Sequence, residues 1–164
     1  MQAPTRFFRM GAASTGPAAP DARKRVVTEF RWPVRVYYED TDAGGVVYHA
    51  GYLRFMERAR TEWMRSRGFD QSVLRERHGV LFVVRRMEVD FLSPARLDDT
   101  LSVSARLERL RPARILLRQE ISRAGAAAGE ALCGARVEVA CLDAATRRPR
   151  RIPAAVTAAL ADER

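Results

Sequence analysis

Apolar and polar positions alternate along this chain with two different periods, and the changes of period mark its elements. Val34-Arg35-Val36-Tyr37-Tyr38 is short, β-branched and aromatic, which predicts a strand. From about Ala50 the period lengthens. Tyr52, Phe55, Met56, Ala59 and Trp63 fall on one helical stripe, with Arg54, Arg58, Glu62 and Arg65 mostly elsewhere, so a helix is expected over 50–67 with Gly68 as its C-cap. Strand signals follow. Val80-Leu81-Phe82-Val83-Val84 opens a run that continues through Met87, Val89 and Phe91 to Pro94. Leu101, Val103, Ala105 and Leu107 then alternate with Ser102, Ser104, Arg106 and Glu108, and Arg111-Pro112 turns the chain. Ile115, Leu117, Gln119 and Ile121 repeat the pattern, Gly125 to Gly129 turns it again, and Ala131, Cys133, Ala135, Val137, Val139 and Cys141 share one face of a last strand.

Short turns between long strands predict an antiparallel meander. Its apolar face needs cover, and the only long helix is 50–67. The fold class expected is therefore α+β, an antiparallel five-stranded sheet wrapped around one long central helix. Such a sheet leaves an edge open, which predicts a dimer with a continuous sheet. The domain is expected over residues 29–153. Residues 1–28, rich in small residues with scattered Arg, read as a disordered extension, and 154–164 as a tail or short helix.

Composition narrows the class. With 47% hydrophobic and 30% charged residues, 164 residues read as one globular domain, and no apolar run is long enough for a membrane span. The net charge of +9 sits mainly at the ends. Residues 36–142 carry 17 basic against 15 acidic side chains, which argues against a nucleic-acid-binding face and leaves room for an anionic small molecule. On one strand, Cys133 and Cys141 would stand about 26 Å apart, too far for a disulfide. With only His49 and His78 to join them, no metal site is expected, and reduced thiols suit the cytoplasm.

There is no Gly-x-Ser-x-Gly elbow, no phosphate-binding glycine loop and no His-Glu-x-x-His pair. What remains is the link between the first strand and the helix, where Glu39, Asp40, Asp42 and His49 crowd together around Gly44-Gly45. A helix N-terminus offers free N–H groups to a carbonyl oxygen gaining negative charge. Asp42 is a candidate nucleophile or base, and His49 a candidate to orient water or move a proton. Gly45, Val46 and Tyr48 are candidate substrate contacts in the same loop. Helix capping competes with catalysis for Asp42, Tyr48 and Tyr52 read also as packing residues, and Glu57 with Arg60 reads as a helix-surface ion pair.

The stretch VYYEDTDAGGVVYHAGYLRFMERARTEWMRSRG, Val36 to Gly68, closely resembles the YbgC-like acyl-CoA thioesterases, within the 4-hydroxybenzoyl-CoA thioesterase group of hotdog folds. The resemblance continues through Phe82-Val83-Val84-Arg85, Ser93 to Asp99, Gln119 and Arg148 to Pro153, covering about residues 32–153. It implies a hotdog fold and hydrolysis of an acyl-CoA, by Asp42 with His49 assisting and the His49 backbone N–H polarising the thioester carbonyl. Whether Asp42 attacks the carbonyl or activates water stays open. Gly51 is a departure, since family members commonly carry Asn there. No cofactor is implied. Coenzyme A carries phosphates, for which Arg147, Arg148, Arg150 and Arg151 are candidates alongside a plain solvated basic run. Related hotdogs build the site between subunits, so a homodimer pairing into a homotetramer is expected. The alternatives are an acyl-carrier-protein thioesterase, a non-catalytic hotdog docking on an envelope or lipid-synthesis complex, and nucleic-acid binding through the basic tail.

Overall fold

The computed structural model describes residues 29–161 apart from residue 128. The extension expected over 1–28 lies outside the described residues. Strands form where the period of two is strongest: β1 (Phe30–Arg35), β2 (Val80–Phe91), β3 (Thr100–Arg111), β4 (Arg114–Arg123) and β5 (Ala131–Asp143). Helices are α1 (His49–Arg65), α2 (Gln71–His78) and α3 (Ala154–Ala161). The sheet has the order β1-β3-β4-β5-β2 and every pair is antiparallel. α1 lies across it, giving the expected hotdog arrangement. Along α1, Tyr52, Phe55, Met56, Ala59, Trp63 and Met64 are buried. They meet the inward faces of the central strands, among them Leu101, Val103, Ile115, Leu117, Ile121 and Val137. Full burial of each large apolar side chain stabilises the fold by about 1.5–3 kcal/mol.

Four expectations need correction. The first strand runs over 30–35 rather than 34–38. Val36 stays extended, bonded both ways to the 98–99 segment, but Tyr37 and Tyr38 face solvent and the chain coils into a short 3₁₀ turn over Tyr38–Asp40. Pro33 is tolerated because β1 is an edge strand. Second, only β3, β4 and β5 form a meander. β2 pairs with β5 at the far edge, from Val80↔Asp143 to Phe91↔Cys133. The link 92–99 is too long for a tight hairpin and carries the chain across to β3 instead. Third, α2 was not expected. Of its eight residues only Leu74 is buried, so it has almost no apolar stripe to read. Fourth, Arg60 is not on the surface.

Arg60 is 8% exposed. Its Nη1 donates to Gln119 Oε1 at 2.7 Å and its Nη2 to Glu57 Oε2 at 2.7 Å. Gln119, fully buried on β4, donates from Nε2 to the Met56 carbonyl on α1 and the Ser104 carbonyl on β3. One amide thus fastens the helix to two strands. Burial pushes the Arg60 guanidinium below its ordinary value, and Glu57 opposes the shift.

Cys133 and Cys141 are both free, buried and on β5. Burial pushes each thiol up to about 11. A thiol reagent at pH 8 is therefore expected to label neither in the folded protein and both after denaturation. Fast labelling of either one before unfolding would contradict this packing. Unfolded thiols ionise near about 8.5. Between there and about 11 the unfolded state releases protons that the folded state keeps, so stability falls as pH rises through that window.

Candidate active site

The acidic loop is held at both ends. On its far side the Val47 N–H donates to the Ala95 carbonyl at 2.9 Å, and the Ala95 N–H donates to the buried Tyr52 hydroxyl at 2.8 Å. Burial raises the Tyr52 phenol above its ordinary value, which keeps it neutral. The crossing link from β2 to β3 therefore serves as the shelf on which the loop rests. Within the loop, Thr41 bridges to Val47, and the Asp42 N–H donates to the Val46 carbonyl at 3.0 Å.

Asp42 is exposed at the loop tip. Its Oδ1 accepts the Gly44 N–H at 2.8 Å, so the carboxylate is oriented by its own turn. A Cβ on Gly44 would stand 3.0 Å from that oxygen, and glycine permits the approach. Gly45 closes the turn by donating its N–H to the Asp42 carbonyl at 3.0 Å. No side chain neutralises Asp42 among the described residues, and its second oxygen is free to act.

His49 opens α1, and Tyr48 precedes it as N-cap without a side-chain bond. The N-terminal amides of a helix have no acceptor within it, so the His49 N–H is available to an oxygen. The His49 ring is exposed, 4.2 Å from the Tyr48 ring and 6.4 Å from Phe91, centroid to centroid. Tyr48 is 47% exposed, so it is not a packing residue, whereas Tyr52 is. Phe91 and Leu92 are also exposed, at 53% and 64%. Asp42, Gly45, Val46, Tyr48 and His49 thus lie on one loop that runs into one helix start, beside an apolar surface at the end of β2.

The basic run lies elsewhere. Arg150 Nη1 donates to the Gly79 carbonyl at 3.0 Å and to Asp143 at 3.1 Å, which pins it to the start of β2. The Arg148 carbonyl accepts the Asp143 N–H. Arg148, Arg150 and Arg151 are exposed. The His49 end of β2 is Phe91, eleven residues away, or about 36 Å at 3.3 Å per residue. Within one protomer these arginines do not meet Asp42. Nor does the apolar groove beside α1. It measures about 370 Å³ and lies between the C-terminal half of α1 and the sheet, lined by residues including Trp63, Met64, Phe82, Val84, Leu117 and Val139. Sequence reasoning missed this groove and the buried Asp40. Its signals were the apolar run at 80–84 and a third acid in a loop that needs only one for chemistry.

Among the described residues no group of His, Cys, Asp and Glu could hold a metal ion, and no helix is long and apolar enough to cross a membrane. The chain matches the thioesterase-like superfamily over residues 36–160. It is 47% identical over 131 residues to the acyl-CoA thioester hydrolase YbgC of Escherichia coli O6:H1, covering 80% of this chain and 95% of that protein. It is 46% identical over 130 residues to the acyl-CoA thioesterase YbgC of Haemophilus influenzae, covering 79% and 93%. Among solved structures, a probable thioesterase from Bartonella henselae superposes with a TM-score of 0.69 at 39% identity, covering 76% of this chain and 99% of that one. The fold, the loop-to-helix geometry and these likenesses agree, and the chain belongs to the thioesterase-like superfamily.

Proposed function

We propose that this protein hydrolyses acyl-CoA thioesters to a free acid and CoA, with Asp42 as nucleophile or general base. The observation that carries this reading is the carboxylate of Asp42, oriented by its own turn, on the loop that leads into the free amides of α1. A carbonyl oxygen at the His49 N–H gains stabilisation as it becomes negative. Asp42 then either adds to the carbonyl carbon or takes a proton from the water that does. The C–S bond breaks and CoA leaves as a thiolate, a good leaving group that needs little protonation; direct attack leaves an acyl-Asp42 anhydride that water then hydrolyses to the free acid, whereas attack by water gives the free acid at once. His49 orients water or carries a proton.

The working unit is a homodimer formed through β2, itself pairing into a tetramer. Twelve residues long, β2 is the open edge that carries exposed Val83, Val84 and Phe91. A strand that pairs with its own copy about a two-fold axis must run antiparallel to it. That pairing sets the Phe91 end of one protomer beside the Val80 end of its partner. Asp42 then faces the partner's apolar groove, suited to the acyl group, and the partner's basic run, suited to the CoA phosphates. Val84→Lys places a charge on that edge and is expected to shift the protein toward monomer by light scattering. An unchanged mass would place the interface elsewhere. Two buried free thiols support a cytoplasmic setting.

The test is CoA release from acetyl-, butyryl-, octanoyl-, palmitoyl- and benzoyl-CoA. Turnover of any of them supports the reading, and the profile names the acyl class. Turnover of none, with turnover of an acylated acyl carrier protein, would replace CoA with that carrier. Inactivity on both would overturn the enzymatic reading.

A further inference from the structure

Asp40 is the loop carboxylate that the chemistry above leaves unused. It is 2% exposed, at the point where the end of β1, the acidic loop and α1 meet. Its Oδ2 accepts the Tyr37 N–H at 3.0 Å. Its backbone carbonyl accepts the N–H of Tyr48, the residue directly before His49, at 2.9 Å. Its Oδ1 is buried and accepts no hydrogen bond. The nearest cation is Arg54, whose Nη2 stands 3.6 Å away, one turn beyond the helix start. Arg54 is half-exposed, so its arm reaches inward from the surface to a carboxylate that has no other counter-charge among the described residues.

Gly51 lies beside this pair and lets Val47 of the loop pack closely on the helix start. A Cβ there would stand 3.0 Å from Val47 Cγ1, 3.7 Å from the Asp40 carbonyl oxygen and 4.0 Å from Arg54 Nη2. The bare backbone at 51 lets the loop close on the helix start, with the arginine at ordinary contact distance. A buried carboxylate oxygen with no donor is unfavourable unless a charge compensates it, and the Arg54 guanidinium at 3.6 Å is the charge placed to do so. The far end of the loop is already fixed through Val47 and Ala95. The near end, two residues from Asp42, is held by the bonds of Asp40 to Tyr37 and Tyr48, and Arg54 supplies the charge that faces its buried carboxylate.

We propose that Asp40 and Arg54 form an ion-pair clasp that positions the Asp42 loop against the first amides of α1, and that hydrolysis depends on the charge of this clasp. The proposal rests on the assignment of Asp42 and His49 as the reaction centre. Neither clasp residue touches substrate; both act through the placement of Asp42.

The experiment measures kcat, KM and thermal midpoint for wild type, Asp40→Asn, Arg54→Met, Arg54→Lys and the Asp40→Asn/Arg54→Met double variant. The substrate is whichever acyl-CoA of the panel turns over fastest. A misplacement of about 1 Å at the reacting centre can lower a rate on the order of 100-fold. Asp40→Asn and Arg54→Met are therefore each expected to lower kcat by about 10- to 100-fold, with KM within about threefold of wild type. The double variant should be no slower than the slower single one, because both break the same clasp. Arg54→Lys keeps the charge and should recover at least about a third of wild-type kcat.

A purely structural pair would give lower midpoints but wild-type kcat below the transition, and that result overturns the proposal, as does additivity in the double variant. Should Asp40→Asn fail to fold, the two surface Arg54 variants decide. Failure of the underlying assignment looks different: Asp42→Asn would then keep wild-type turnover. Loss of activity in Asp42→Asn together with normal kcat in both clasp variants sinks the clasp alone.

Discussion

Asp42→Asn is expected to lower CoA release by at least about 100-fold, with little change in the thermal midpoint. Asn keeps the shape of the side chain and an oxygen that can still accept the Gly44 N–H, so the turn at the loop tip survives. What it removes is the charge, and with it both a nucleophilic carboxylate and a base for water. The amide of His49 remains, and residual activity would measure what that helix start achieves alone. Because the carboxylate is exposed, loss of folding is a poor explanation for lost turnover. A variant within about threefold of wild type would remove Asp42 from the reaction and leave the search to Glu39 and the partner's residues.

Gln119→Leu is expected to produce the largest loss of stability, on the order of 3 kcal/mol, read as a lower urea midpoint at unchanged slope. The two side chains are close in volume, so little cavity forms. The loss is polar. Arg60 keeps Glu57 but loses its 2.7 Å acceptor while remaining buried, and the Ser104 carbonyl loses a donor. Pairing Gln119→Leu with Arg60→Met should recover part of the loss, since both ends of the interaction then become apolar. A single variant within 1 kcal/mol of wild type, on the scale of an ordinary exposed hydrogen bond, would show that the amide fastens nothing.

Gln119 also shows how far the alternation could be read. It occupies an inward position between Leu117 and Ile121, so its burial was legible, and its partner Arg60 was not. An arginine three residues from a glutamate on a helix has the pattern of a surface pair, and only the third dimension puts a glutamine above it. The strands β3, β4 and β5 were legible for the opposite reason: apolar and polar residues alternate along each, over most of β4 and β5 and over Leu101–Glu108 in β3, before its bulge. β1 was displaced because Tyr37 and Tyr38 have strand-forming side chains in a segment that is solvent-exposed, while Pro33 disguised the true strand. The position of β2 beside β5 was hidden, since pairing order depends on where an eight-residue link goes rather than on what it contains. In the candidate site, Asp42 and His49 stand out together because they are close in sequence. Asp40 looks the same as its neighbours in a string of acids, and its distinction is burial.

The two edges of the sheet have unequal capacities for growth. β1 is six residues long and contains Pro33, which has no N–H to offer, flanked by the exposed charges of Arg31 and Arg35. β2 offers twelve residues. In the language of polymer chemistry, a subunit that pairs through β2 as proposed is a monofunctional monomer. It has one reactive end and one end that is capped from synthesis onward. In the dimer proposed above, edge-to-edge addition would proceed by a single step and terminate at two. A bifunctional subunit of the same shape would propagate into a ribbon. A tetramer of such pairs would then be built by stacking faces, since the described β1 edge is short and interrupted by Pro33.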